Sequence, residues 1–192
     1  AVTLMDKSGE QRAYFAPTSP WNDSDVRSVR TVFQQALDGA QTLCVCGSSP
    51  NRQADGLFAE FLAQARDRGV FTLLDSYGMG LKEGLKAAPQ VVKMNRKEAG
   101  DYLGRDLSSM DACCQAVENL STLSGVEWVV LTMGAEGALL GTDERIWLAR
   151  LPKIAVVNPI GSGDSMTAGL LARYRQGGDP LDCFRLGMAA AA

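Results

Sequence analysis

Histidine is missing altogether from this 192-residue chain. That removes the Ser-His-Asp triad, the papain-like Cys-His pair, HExxH zinc proteases and imidazole acid catalysis. Any general base must therefore be a carboxylate, a lysine or a tyrosine. An excess of one charge is missing too: 19 Lys and Arg stand against 22 Asp and Glu, a net −3. So weak a field offers no footprint for nucleic acid or anionic lipid. No apolar run approaches the ~20 residues that cross a bilayer, and residues 1–6 lack the basic start of a signal peptide. The five cysteines, Cys44, Cys46, Cys113, Cys114 and Cys183, contain no CxxC pair. An odd set of this kind suits reduced thiols in a cytoplasmic protein rather than a zinc site or bridges. Cys44 and Cys46 lie two apart in an apolar run, on one face of a strand, and read as small buried hydrophobes.

What is present is enough for one sizeable core, with 46% hydrophobic and 21% charged residues. Thr42–Cys46, Val70–Asp75, Val91–Met94, Glu127–Thr132 and Ile154–Val157 are short apolar runs of strand length. Their near-continuous hydrophobicity suits strands buried on both faces. Helical stripes lie between them: Val26, Val29, Val32, Phe33, Ala36 and Leu37; then Leu57, Phe58, Phe61, Leu62 and Ala65; then Ala112, Cys113, Ala116, Val117 and Leu120. This alternation predicts an α/β domain with a mainly parallel sheet covered on both faces. Ala138–Gly141 and Arg145–Ala149 read as a shorter antiparallel excursion. Leu181–Ala192 reads as a helix that closes without a capping signal, and the chain opens directly in a strand pattern. Residues 1–192 are therefore expected to be a fragment, or a single incomplete domain.

Ligands of open α/β sheets collect at the carboxyl ends of strands. Four turns qualify: Gly47–Pro50, Lys93–Glu98, Thr132–Gly137 and Asn158–Ser165. In the last, an apolar run leads into Gly161-Ser162-Gly163-Asp164, and a helix pattern follows with Met166, Leu170, Leu171 and Tyr174. Glycines there permit a turn whose N–H groups face one point, and the helix start adds partial positive charge. Such a hole suits a phosphate, and Asp164 in the first helical turn can accept a proton from an attacking hydroxyl. The same residues also read as a plain strand–helix turn with a capping acid. No GxxxxGK[ST] is present, and Gly78-Met79-Gly80 is followed by its next glycine one residue late for GxGxxG. A dinucleotide fingerprint is not supported.

Asn158-Pro-Ile-Gly-Ser-Gly-Asp-Ser165 resembles the second signature of the PfkB, or ribokinase-like, carbohydrate kinases. The other turns fall in that family's order. Gly47-Ser48-Ser49-Pro50 is similar to its Gly-Ser-Leu-Pro, Lys93-Met94-Asn95 with Glu98 to its Lys-Pro-Asn-x-x-Glu, and Thr132–Gly137 to its Ser-x-Gly-x-x-Gly. The Asn-Pro opening resembles the phosphosugar branch, of the 1-phosphofructokinase and tagatose-6-phosphate kinase type. The resemblance implies a three-layer α/β/α ribokinase-like fold and ATP-dependent phosphoryl transfer to a hydroxyl of a sugar or sugar phosphate.

It also implies a role for each matched position. Asp164 is the base, and Gly161, Ser162 and Gly163 form the anion hole. Lys93, Asn95, Thr132, Gly134 and Gly137 hold ATP, Glu98 reaches Mg²⁺ through water, and Ser48 touches the sugar. A monovalent cation near Asn158–Ile160 and a homodimer belong to the same expectation. Plain structural readings stand beside these: Asn95-x-x-Glu98 opening a helix is also a capping box, Gly134–Gly137 a turn between strands, and Ser48 turn chemistry. Met94, Ser49 and Ile160 depart from the family pattern without removing a charge or the base. The family's N-terminal sugar signature, its lid and its adenine-pocket segment have no counterpart in the chain. Alternative readings are a kinase for ribose, a nucleoside or another alcohol, and a non-catalytic sugar- or nucleotide-binding regulator.

Overall fold

A computed structural model describes residues 2–5, 11–14, 19–152, 156 and 159–192. Strands β1 (Val2–Met5) and β2 (Gln11–Tyr14) pair antiparallel in a sheet of their own. Then come α1 (Asp23–Leu37), β3 (Thr42–Gly47), α2 (Arg52–Asp67), β4 (Phe71–Ser76), α3 (Gly78–Leu85), β5 (Val91–Asn95), α4 (Arg96–Leu103), α5 (Met110–Ser124) and β6 (Trp128–Thr132). A 3₁₀ turn at Gly134–Glu136 leads to β7 (Ala138–Gly141), β8 (Ile146–Ala149), α6 (Ser162–Arg175) and α7 (Pro180–Ala191). The main sheet has the order β3-β4-β5-β6-β7-β8. Its first four strands run parallel, β7 runs antiparallel to β6, and β8 antiparallel to β7. The antiparallel excursion and the mainly parallel sheet are as the sequence predicts. Of the strand expected over Ile154–Val157 only Val156 is described; its neighbours, with Asn158, lie outside the described residues.

The period of two along buried strands sorts the side chains into two cores. Leu74, Val92, Met94, Val129, Leu131 and Leu139 face α2, α3, α4 and α5. Phe71, Leu73, Val91, Val130 and Leu140 face α6 and α7. That makes three layers. Phe71 stacks on Tyr174 of α6 at 3.6 Å between ring centroids, which seats this helix on the sheet. Outside the first layer, α1 packs on α2 through the stacked Phe33–Phe61 pair. Val26 and Leu37 are buried as the α1 stripe requires, but Val32 is exposed.

Caps set several helix limits. Asn22 and Asp25 form a reciprocal box at α1, and Ser109 caps α5. Asp179 caps α7 with Pro180 in its first turn, one residue earlier than the apolar pattern suggests. Val70 is not in a strand, because its N–H closes on Ala65 C=O at the end of α2. Among the described residues, no helix is long and apolar enough to cross a membrane.

Candidate active site

The carboxyl ends of the parallel strands share one edge of the sheet, and the register decides which side chains meet there. Cys46 of β3 pairs with Asp75 of β4, and Asp75 with Lys93 of β5. These three therefore stand abreast on the face covered by α6. Asn95 of β5 pairs likewise with Thr132 of β6.

Lys93 is buried, at 5% exposure, in the row that the start of α6 covers. Its ammonium donates to Asp75 Oδ2 at 2.7 Å. The same oxygen accepts from Thr167 Oγ1 of α6 at 2.7 Å, and that hydroxyl also reaches Gly163 C=O at 3.2 Å. A buried lysine needs such a partner, since an ammonium out of water is costly unless paired. A Cβ placed on Gly163 would lie 3.3 Å from Lys93 Nζ, so the glycine turn sits directly against the fixed cation. Asp75 and Thr167 escaped the sequence reading. A carboxylate closing the apolar strand Phe71–Ser76 was the available signal, because strand carboxyl ends are where ligands gather.

The start of α6 differs from those of α1, α5 and α7, which are capped by side chains. Gly161 is its N-cap, in the left-handed region at φ +83°, and among the described residues no side chain caps the turn. Asp164 lies in the first turn, exposed, and does not serve as the capping acid that its position allows. Ser162 N–H donates to Pro159 C=O at 3.3 Å, and the other N–H groups at the start of this 14-residue helix, with its partial positive charge, can meet an anion. The turn abuts the Lys93 ammonium, itself paired with Asp75, and Asp164 adds an exposed carboxylate in the same first helical turn.

The turn after β5 is built otherwise. Asn95 Oδ1 accepts from Glu98 N–H at 2.9 Å, and Glu98 Oε2 accepts from Asn95 N–H at 2.8 Å. The capping reading of Asn95 and Glu98 thus describes the structure, while Glu98 Oε1 takes no part in the box. Beside them Arg96 pairs with Glu136 at 2.8 Å, tying α4 to the 3₁₀ turn after β6. That hydrogen bond holds the Glu136 carboxyl below its usual range and raises the guanidinium.

Gly134 and Gly137 also part company. Gly134 has φ +60° with open space where a Cβ would be, whereas a Cβ on Gly137 would collide with Ala149 C=O. Gly137 is thus required by the close approach of β8. Ser48 is exposed just past β3, in a turn whose first carbonyl, Gly47 C=O, accepts from Ser76 Oγ at 2.6 Å. Cys46 is exposed and Cys44 half-buried, correcting the expectation of two buried hydrophobes. The reason is position: Cys46 lies at the strand end, where the covering helix begins.

Gly47, Asn95, Gly134 and Gly161 thus belong to one edge, with Lys93 beside Gly163 and Asn95 beside Thr132. A glycine turn, a buried ammonium and an exposed carboxylate thus meet at one edge of an α/β/α scaffold. The model of the pfkB family carbohydrate kinases matches residues 1–192, and the chain belongs to that family. It is 36% identical over 154 residues to 1-phosphofructokinase of Haemophilus influenzae, covering 76% of this chain and 49% of that protein. The match to 1-phosphofructokinase of Escherichia coli K12 is 35% over 170 residues, or 88% and 54% of the two chains. A possible 1-phosphofructokinase from Thermotoga maritima superposes with a TM-score of 0.87 at 25% identity, over 98% of this chain and 60% of that one. Phosphofructokinase-2 of Escherichia coli shares the fold at TM-score 0.84 and 23% identity, over 96% and 60%. The chain spans about half the length of the curated relatives it matches.

Proposed function

We propose that the whole protein transfers the γ-phosphoryl group of ATP to a hydroxyl of a sugar phosphate, as a 1-phosphofructokinase does, and that this chain supplies most of the nucleotide half of one kinase domain. The observation that carries the reading is the uncapped start of α6. Its glycine turn abuts the buried Lys93 ammonium, and Asp164 stands exposed beside it. The names of the relatives supply the substrate class.

In this mechanism Asp164 accepts the proton of the acceptor hydroxyl as its oxygen bonds to phosphorus and the bond to the ADP oxygen breaks. The N–H groups of Gly161–Gly163 face the charge that grows on the transferred group. Lys93, kept in place by Asp75, and the Asn95, Thr132, Gly134 and Gly137 segments hold the nucleotide phosphates. Bound Mg²⁺ would neutralise phosphate charge, and the residues fit it in kind: magnesium takes few carboxylates and keeps its waters, and Glu98 Oε1 is outside the capping box. Ser48 contacts the sugar. A monovalent cation beside residues 158–160, a homodimer and a cytoplasmic setting complete the proposal.

The test is calorimetric titration of the full-length protein with Mg·ATP and with NAD, followed by ADP-release assays. The acceptors are fructose 1-phosphate, tagatose 6-phosphate, ribose and a nucleoside. Nucleotide binding with turnover on a sugar phosphate is expected. Binding of ATP without turnover on any acceptor would support a regulator, and turnover confined to ribose or the nucleoside would move the substrate class.

A further inference from the structure

The row Cys46–Asp75–Lys93 contains one chemically reactive group that the proposed mechanism does not use. Cys44 and Cys46 project from the same face of β3, and their sulfurs lie 3.1 Å apart. We propose that Cys44 and Cys46 are a reversible modification site, a dithiol that closes to a disulfide on exchange with a low-molecular-weight disulfide such as oxidised glutathione and so disables the Gly47–Pro50 turn.

The five cysteines are not equivalent. Cys113 and Cys183 are buried, and Cys114 is half-buried on α5. Burial pushes all three thiols up, Cys183 to about 11. Cys46 is the exposed one. The hydrogen bond between the two sulfurs holds the Cys46 thiol below its usual range, helped by the Lys93 ammonium and opposed by burial, Asp75 and Asp164, while the same bond and burial raise that of Cys44. Access and thiolate character therefore coincide at one sulfur, with a second thiol already in contact to resolve the adduct.

The chemistry balances. Cys46 thiolate attacks one sulfur of the small disulfide, and the first small thiolate leaves. Cys44 gives up its proton to that thiolate and attacks the Cys46 sulfur, expelling the second. Two protein thiols are oxidised, and one small disulfide is reduced to two thiols.

Consequences follow from strand geometry. Residues two apart on a strand have Cα atoms roughly 6.4–6.8 Å apart, at the upper end of the separation that a disulfide spans. Closing the bond must therefore shorten or kink the end of β3. Gly47 is the next residue, and its carbonyl is held by Ser76 Oγ, with Ser48 beyond it. A bond strained in this way is readily reduced, which suits reversible control in a reducing compartment.

The test uses the full-length protein incubated with oxidised glutathione, then alkylated, digested and mapped by mass. The expected product is an internally linked Cys44–Cys46 peptide, two hydrogens lighter than the reduced one, with Cys113, Cys114 and Cys183 alkylated. In Cys44→Ala the reaction should stop at a mixed disulfide on Cys46. Turnover of the wild type should fall by roughly ten- to a hundredfold, the scale of an ångström-sized displacement of a positioning group, and return with dithiothreitol. Cys44→Ala should keep its basal rate. Wild-type protein in which both thiols stay alkylatable, or in which Cys46 stops at the mixed disulfide, would overturn the proposal. So would a linked protein of undiminished rate. The effect on rate rests on the kinase reading, but the peptide map does not: full-length protein inactive when reduced counts against the kinase, while the map still decides the dithiol.

Discussion

Two helix starts on the same sheet edge are built in opposite ways. At α4 the chain closes on itself: Asn95 and Glu98 satisfy each other's backbone donors, and Arg96 bridges to Glu136. At α6 the N-cap is a glycine, no side chain among the described residues caps the turn, and Asp164 stays exposed. A helix terminus leaves four N–H groups without partners, and something must meet them. A terminus met by its own side chains is a structural joint with little left to offer a ligand. One left open, against a buried ammonium, keeps its donors for an anion from outside. The difference separates residues that shape this edge from those that would act at it.

The largest effect expected from that contrast is on rate. Asp164→Asn in the full-length protein should lower kcat by roughly 10²–10⁴-fold, the range for loss of a general base, with little change in ATP affinity. Because Asp164 caps nothing, the melting temperature should hardly move. Steady-state rates and a thermal melt on one preparation check both, and a folded variant of near-normal kcat would make the α6 turn as structural as the α4 turn.

Next is the cation that joins the two regions. Lys93→Met leaves the Asp75 carboxylate largely buried with only Thr167 as partner, and should cost about 3–5 kcal/mol in denaturant melts. Pairing it with Asp75→Asn should recover much of that stability but not the nucleotide affinity. Recovery of both would confine Lys93 to a structural role.

The glycines after β6 give the third comparison. Gly137→Ala sets a Cβ against Ala149 C=O and forces a left-handed φ of +102°, so a loss of about 3 kcal/mol is expected. Gly134→Ala meets open space and should cost about 1–2 kcal/mol, with its main effect on the KM for ATP. Equal losses would erase the distinction. The smallest effect belongs to the α4 cap: Asn95→Ala should cost about 1 kcal/mol. Glu98→Gln, which keeps the bond to Asn95 N–H, should be nearly neutral in stability while shifting the Mg²⁺ dependence of turnover.

Much of this was legible in the residues. Apolar runs of strand length between amphipathic stripes determined the layered α/β fold, because a strand buried on both faces must be apolar throughout, and a covering helix on one side only. Asn95-x-x-Glu98 carried its capping box openly, since both partners lie within one helical turn. The glycine turn before Asp164 was visible as a local pattern for the same reason. Asp75 was not: its partners Lys93 and Thr167 are 18 and 92 residues away in sequence, and no local period links them. Nor was the reason for Gly137, which is the backbone of β8 passing beside it. Cys46 looked like part of a buried strand because periodicity states which face a side chain takes but not where the covering helix begins. By itself the sequence determined the strands, the helices and the turns that gather at one edge, since those depend on residues close together in the chain. Only the tertiary structure decided that Cys46, Asp75 and Lys93 stand abreast and that Thr167 locks them to the α6 turn. Strand register and helix docking are set by packing between distant segments, and that packing is where this site acquires its fixed charge.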